Sequence, residues 1–148
     1  MRSSAPRSGS SPDITRSRRS RRGSAAIEFA LVAPVLLAVL LGVIDYGWYF
    51  YREMQVVSAV REGARYGAAT PRTNSPDPVA VATARVRTTL NAYGLSGGTA
   101  TVTSVLTGVK PDTLLTVTGT LPYVPIAGFV PVPPTMRATM AMRLEDNL

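Results

Sequence analysis

The fold is decided by the stretch Arg21-Arg22-Gly23-Ser24-Ala25-Ala26-Ile27-Glu28-Phe29-Ala30-Leu31-Val32. In this stretch a basic leader ends and an apolar run begins, which continues to Ile44. Counted from Ala25, twenty residues contain one charged side chain, that of Glu28. At about 1.5 Å of rise per residue, a helix over these residues is about 30 Å long, which is the thickness of a bilayer's hydrocarbon core. The stretch therefore predicts a membrane-spanning helix.

The carboxylate of Glu28 needs a reason to lie at the edge of this span, since an ionised group there costs about 2 to 4 kcal/mol without a partner or water. One interpretation is that Glu28 lies in the first turn and favours the positive end of the helix dipole. The second interpretation requires the chain to be cut after Gly23. Glu28 would then be the fifth residue of a chain that begins at Ser24, and it would pair with the terminal ammonium of a neighbouring subunit. The residues alone leave both interpretations open.

The segment from Gly23 to Phe29, placed before a span, resembles the prepilin processing site of type IV pilins and pseudopilins. More closely, Arg22 to Pro34 is similar to the start of the TadE-like family of the tight-adherence (Flp) pilus system. A second segment, Arg61-Glu62-Gly63-Ala64-Arg65-Tyr66-Gly67-Ala68-Ala69, resembles a second motif of that family. The resemblance is strong from Arg21 to Ala69 and only general beyond.

This resemblance implies a minor pilin- or pseudopilin-like component of a tight-adherence pilus or a related secretion machine in a bacterial cell membrane. A prepilin peptidase would remove the leader between Gly23 and Ser24. The mature helix would then associate with other pilin or pseudopilin subunits and with the pilus assembly platform. Glu28 and Phe29 are the residues expected to set assembly and register, and association with the pilus is expected after processing.

The basic charge of the chain is concentrated in Met1–Gly23, which holds seven Arg and one Asp, whereas the rest is nearly balanced. This leader, rich in Ser, Arg and Pro, is predicted to be disordered and cytoplasmic, with everything after Asp45 outside. A second interpretation of the leader, as an arm that binds nucleic acid, is less favoured, and no nucleic-acid partner is expected. An ordinary signal peptide is also disfavoured, because the apolar run exceeds about 15 residues and no small-x-small site follows it.

Beyond Ile44 the helix is predicted to continue to Ala69, with Asp45 and Arg52 marking the water side. A cluster of aromatic side chains there predicts a belt at the headgroup level: Tyr46, Trp48, Tyr49, Phe50 and Tyr51. Gly63 and Gly67 form a small-xxx-small pair, which is expected to seat the helix on its own globular domain.

The residues after Ala69 predict a small extracytoplasmic domain. Asp77-Pro78 predicts the start of a second helix with an apolar stripe that ends at Tyr93. Alternation of apolar and polar residues after Gly98 predicts three antiparallel strands, and the proline-rich segment Pro122 to Pro134 predicts a surface loop. The fold class is therefore predicted to be α+β, with a leader (1–23), a transmembrane helix with its extension (24–69) and a small domain (70–148).

No catalytic chemistry is predicted. The chain has no His and no Cys, which removes the commonest general base and metal ligand as well as thiol chemistry. Glu62 is expected to form a solvated charge network with Arg61 and Arg65. We expect no cofactor, no metal, no small-molecule substrate and no enzyme; membrane lipid and the pilus proteins are the expected partners. An unprocessed single-span anchor that displays a small binding domain is the alternative.

Overall fold

The computed structural model describes residues 17–71, 77–109, 112–128 and 130–145, with side chains from Gly23 onward. Two helices come first, α1 (Ser17–Ala68) and α2 (Pro78–Ala92). Three strands follow: β1 (Thr101–Thr107), β2 (Leu114–Pro122) and β3 (Thr135–Arg143). The predicted α+β fold, with a long apolar N-terminal helix, a second helix and a three-stranded antiparallel sheet, is confirmed.

The chain divides into two compact units at Leu40. In the first unit, α1 begins at Ser17, inside the leader, rather than at Ser24 as the sequence predicts. Arg is a good helix former, and a helix extends easily once the apolar run has nucleated it. Residues 1–16 of the predicted disordered leader lie outside the described residues.

The second unit, Leu41–Leu148, contains the sheet, whose strand order is β1-β2-β3 with antiparallel pairing throughout. Strand β2 is central, and its side chains alternate regularly between buried and half-exposed positions. Its buried members are Leu115, Val117, Gly119 and Leu121. This alternation is the period of two that a sheet covered on one face requires.

Both helices cover the same face of the sheet. The buried stripe of α1 contains Tyr49, Val56, Ala59, Val60, Gly63, Ala64, Gly67 and Ala68. From α2, Ala82, Val86 and Leu90 are almost fully buried. Tyr93 is 39 % exposed, because α2 ends at Ala92 and the tyrosine follows it. The stripe predicted for α2 is therefore correct except at its last residue.

Candidate functional site

The N-terminal end of the apolar run is open to solvent. A methyl group added at Gly23 would meet no atom within 4 Å, and residues 23–32 are all exposed. The Ser24 hydroxyl donates a hydrogen bond to Glu28 Oε1 at 3.2 Å, one turn further along the helix. Phe29, beside this pair, is 71 % exposed. The predicted processing and assembly residues therefore lie together on an accessible surface.

The apolar side chains that follow are exposed around the whole circumference of α1. They are Ile27, Phe29, Leu31, Val32, Val35, Leu36, Leu37, Val39, Leu40, Val43 and Ile44. By length and composition the helix Gly23–Ala68 can cross a membrane: its most apolar window has a mean hydropathy of 2.6 and is 6 % buried. Apolar surface of this extent needs a nonaqueous environment, which indicates a membrane protein.

Asp45, the first residue after the apolar run, is fully buried. Its Oδ1 accepts hydrogen bonds from the backbone N–H groups of Ile126 (3.1 Å) and Ala127 (2.8 Å), and its Oδ2 accepts one from Gly128 (3.0 Å). Three donors satisfy most of a carboxylate's acceptor capacity and offset the cost of burying it. Asp45, which the sequence analysis places on the water side of the span, is thus shielded from solvent by the distant loop that it anchors.

Aromatic contacts reinforce this anchor. The Tyr123 hydroxyl donates to the Asp45 backbone carbonyl at 3.2 Å, and its ring meets Tyr49 edge to face with centroids 5.1 Å apart. Burial, followed by the nearby Asp45 carboxylate, raises the pKa of the Tyr123 phenol, so it stays a neutral donor. Tyr49 is 7 % exposed and belongs to the core, whereas the other four members of the predicted belt are more exposed.

Two glycines of α1 lie where the helix meets α2. A methyl group at Gly63 would come within 2.8 Å of the Ala82 carbonyl oxygen. At Gly67 it would lie 2.6 Å from Leu115 Cδ2 and 2.9 Å from the Pro78 carbonyl oxygen. Since real Cβ atoms do not approach backbone oxygens so closely, only glycine permits this packing distance.

Residues 23–65 match the model of the family described as TadE-like protein. This segment of the chain is TadE-like. The matched range begins at the predicted processing site, and the resemblance predicted from the sequence is confirmed over it. No curated protein and no solved structure matches the chain. That family consists of structural components of tight-adherence pili, and the match therefore suggests a pilus-associated membrane component.

Near its end, the TadE-like segment carries an ion pair that the sequence does not predict. Glu62 pairs with Arg85 of α2, which donates from Nε at 3.0 Å and also from Nη2. The hydrogen bond to Glu62 raises the pKa of Arg85, and partial burial opposes this shift. The guanidinium carbon of Arg85 lies over the Tyr66 ring, 4.3 Å from its centroid. The predicted pairing of Glu62 with Arg61 and Arg65 is replaced by this contact between helices.

Beside the ion pair, the TadE-like segment lines an open cleft of about 560 Å³. Its walls include Ser58, Arg61, Arg65, Tyr66 and Tyr93. Among the residues that the structure describes, no group of three or more carboxylates could hold a metal ion. The cleft therefore combines the basic side chains of Arg61 and Arg65 and two tyrosines with the carboxylate of Glu62.

Proposed function

We propose that this protein is a minor pilin- or pseudopilin-like component of a tight-adherence pilus, cut between Gly23 and Ser24 and assembled through its apolar helix. One observation carries the proposal. The large apolar side chains of α1 are exposed on every side from Ile27 to Leu40, and this surface starts directly beside Glu28. A helix that contacts only lipid needs no carboxylate there, whereas a helix packed among identical helices can use one to fix their register.

The proposed topology follows from charge. The leader carries seven Arg, and the positive-inside rule keeps such a segment in the cytoplasm. Residues after Asp45 are then extracytoplasmic. A prepilin peptidase would act at the cytoplasmic end, where Gly23 is exposed and a Cβ would meet no atom within 4 Å.

Glu28 has a specific part in the proposed assembly. In the unprocessed chain its carboxylate accepts a hydrogen bond from the Ser24 hydroxyl. Cleavage would give Ser24 an ammonium group, and the Glu28 of one subunit would pair with the ammonium of the next. The attraction between the two charges is stronger in a low dielectric. A subunit at the wrong axial level would leave both charges unpaired, which is strongly destabilising in the same medium.

The N-terminal residue and intact mass of the protein from the native cell envelope test this proposal. We expect a chain that begins at Ser24. The variant Gly23→Leu should retain the leader, because the larger side chain blocks access to the scissile bond. Gly47→Leu is the matched control, since a Cβ at either glycine meets no atom within 4 Å.

The alternative is a single-span anchor that keeps its leader and displays its folded unit as a binding domain. The basic and aromatic cleft around Arg61, Arg65 and Tyr66 favours this candidate, because it offers recognition surface independent of any fibre. A wild-type chain that still begins near Met1 in the envelope would establish the anchor and refute processing.

A further inference from the structure

The loop between β2 and β3 has an unusual composition for a surface segment. The last residue of β2 and the loop that follows it, residues 122–134, are called the apolar loop here, and they contain five Pro and no charged side chain. The hydroxyl of Tyr123 is the only polar side-chain group among them. Loops that face water are usually rich in polar residues, so this composition points to a different environment.

The apolar loop lies beside the C-terminal end of the apolar run within the second unit. Its amides at Ile126, Ala127 and Gly128 bind Asp45, which directly follows Ile44. The Pro131 carbonyl accepts a hydrogen bond of 2.9 Å from the Tyr46 hydroxyl. One turn deeper, a methyl group on Gly42 would lie 3.0 Å from Val130 Cγ2, so the loop reaches past Asp45 toward the apolar run.

Part of the loop's backbone has its hydrogen bonds made within the protein. In lipid every N–H group needs a protein acceptor, and an unsatisfied one costs several kcal/mol. Three amides are bound by the Asp45 carboxylate, and the Tyr123 amide donates to the Pro134 carbonyl at 2.8 Å. The five prolines have no N–H group to satisfy.

The loop also exposes large apolar side chains at this level. Val124 is 80 % exposed and Ile126 is 62 % exposed. On α1, Val43 and Ile44 are 66 % and 46 % exposed. The loop therefore adds to the apolar surface of Val43 and Ile44 at the end of the span, which identifies the occupant of this surface as the lipid around that end.

We infer that the apolar loop is a second membrane contact, which inserts Val124 and Ile126 into the interfacial layer of the bilayer beside the end of the span. Asp45 holds the loop at this depth. The inference requires a membrane span but neither cleavage at Gly23 nor assembly into a pilus. It therefore goes beyond the proposed function.

The test uses the absence of Cys from the sequence, which allows one label to be placed at a time on the full chain. The variants Val124→Cys and Val109→Cys each carry an environment-sensitive fluorophore in phosphatidylcholine vesicles that contain spin-labelled lipid. Val109 is the matched control: it is 82 % exposed and follows β1. At that end of the sheet, Leu115 lies beside β1 and packs against Gly67. Gly67 is about 33 Å along α1 from Asp45. A label at Val39→Cys, inside the apolar run, reports whether the helix is inserted.

We expect a blue shift and a loss of most emission at Val124→Cys, with no quenching at Val109→Cys. Equal, weak quenching at these two positions, with strong quenching at Val39→Cys, would overturn the inference and leave the span intact. A label at Val124→Cys that is shielded from both lipid and aqueous quenchers would instead indicate a second protein copy, and would also overturn it. Without quenching at Val39→Cys the span itself fails, and the inference fails with it.

Discussion

Replacing Asp45 with Ala tests how strongly the apolar loop is held to α1. The change removes three hydrogen bonds of 2.8 to 3.1 Å between a carboxylate and backbone N–H groups. Hydrogen bonds to charged groups contribute about 1.5 to 3 kcal/mol each, which sets an upper limit of about 9 kcal/mol. Because Ile126 and Gly128 are exposed, water of the interfacial layer replaces part of this bonding. We therefore expect a loss of about 3 kcal/mol in the free energy of unfolding.

The assay is thermal unfolding of the full chain in lipid nanodiscs, followed by near-ultraviolet circular dichroism. A loss of about 3 kcal/mol should lower Tm by about 12 °C for a unit of this size. Asp45→Asn should cost about half as much. Its remaining carbonyl oxygen can still accept from Ile126 and Ala127, while its amide opposes the N–H group of Gly128.

Asp112→Ala is the control, since it also removes an aspartate. Asp112 pairs with Arg143 at 2.7 Å, but its side chain is 77 % exposed. Exposed ion pairs contribute about 0 to 1 kcal/mol, so its Tm should change little. Equal Tm values for Asp45→Ala and Asp112→Ala would refute the anchoring role of Asp45.

Other changes test the remaining contacts. Gly67→Val should lower the free energy of unfolding by about 2 to 3 kcal/mol, because its side chain would overlap Leu115. Gly47→Val, in open space on the same helix, should cost much less, and equal costs in thermal melts would contradict the packing argument. Glu28→Ala should insert into membranes normally but fail to co-purify with other pilus subunits; normal co-purification would exclude its proposed role. Tyr123→Phe loses one hydrogen bond and about 1 kcal/mol of stability, and an unchanged melt would show that the bond contributes nothing.

The elements predicted from periodicity agree with the structure, because their signals are local. The alternating residues of β2 are buried in the predicted phase, from Leu115 to Leu121. On α1, the buried positions from Tyr49 to Gly67 recur with the period of a helix, which also explains why Tyr49 does not join the aromatic belt. Each of these patterns is contained within a single helix or strand.

The contacts between distant segments could not be predicted in this way. Asp45 looks like a water-side residue, since nothing near it in the chain reveals the loop that it binds. The Glu62–Arg85 pair likewise joins α1 to α2, whereas Arg61 and Arg65 are nearer in sequence. One signal could have indicated the first contact: a loop with almost no polar side chains needs an acceptor from elsewhere for its amides, and a lone acid beside an apolar run supplies one.

The Asp45 bonds also impose an order on the folding of the nascent chain. They join residues 81 to 83 positions apart, whereas the turns of α1 close within a few residues. The helix can therefore form as soon as it is synthesised, but the Asp45 carboxylate lacks these three donors until Gly128 has been made and, in the proposed topology, has crossed the bilayer. Until then the carboxylate must stay hydrated, so it resists being drawn into the hydrocarbon core. Asp45 would thus act first as a stop for insertion and only afterwards as the anchor of the loop.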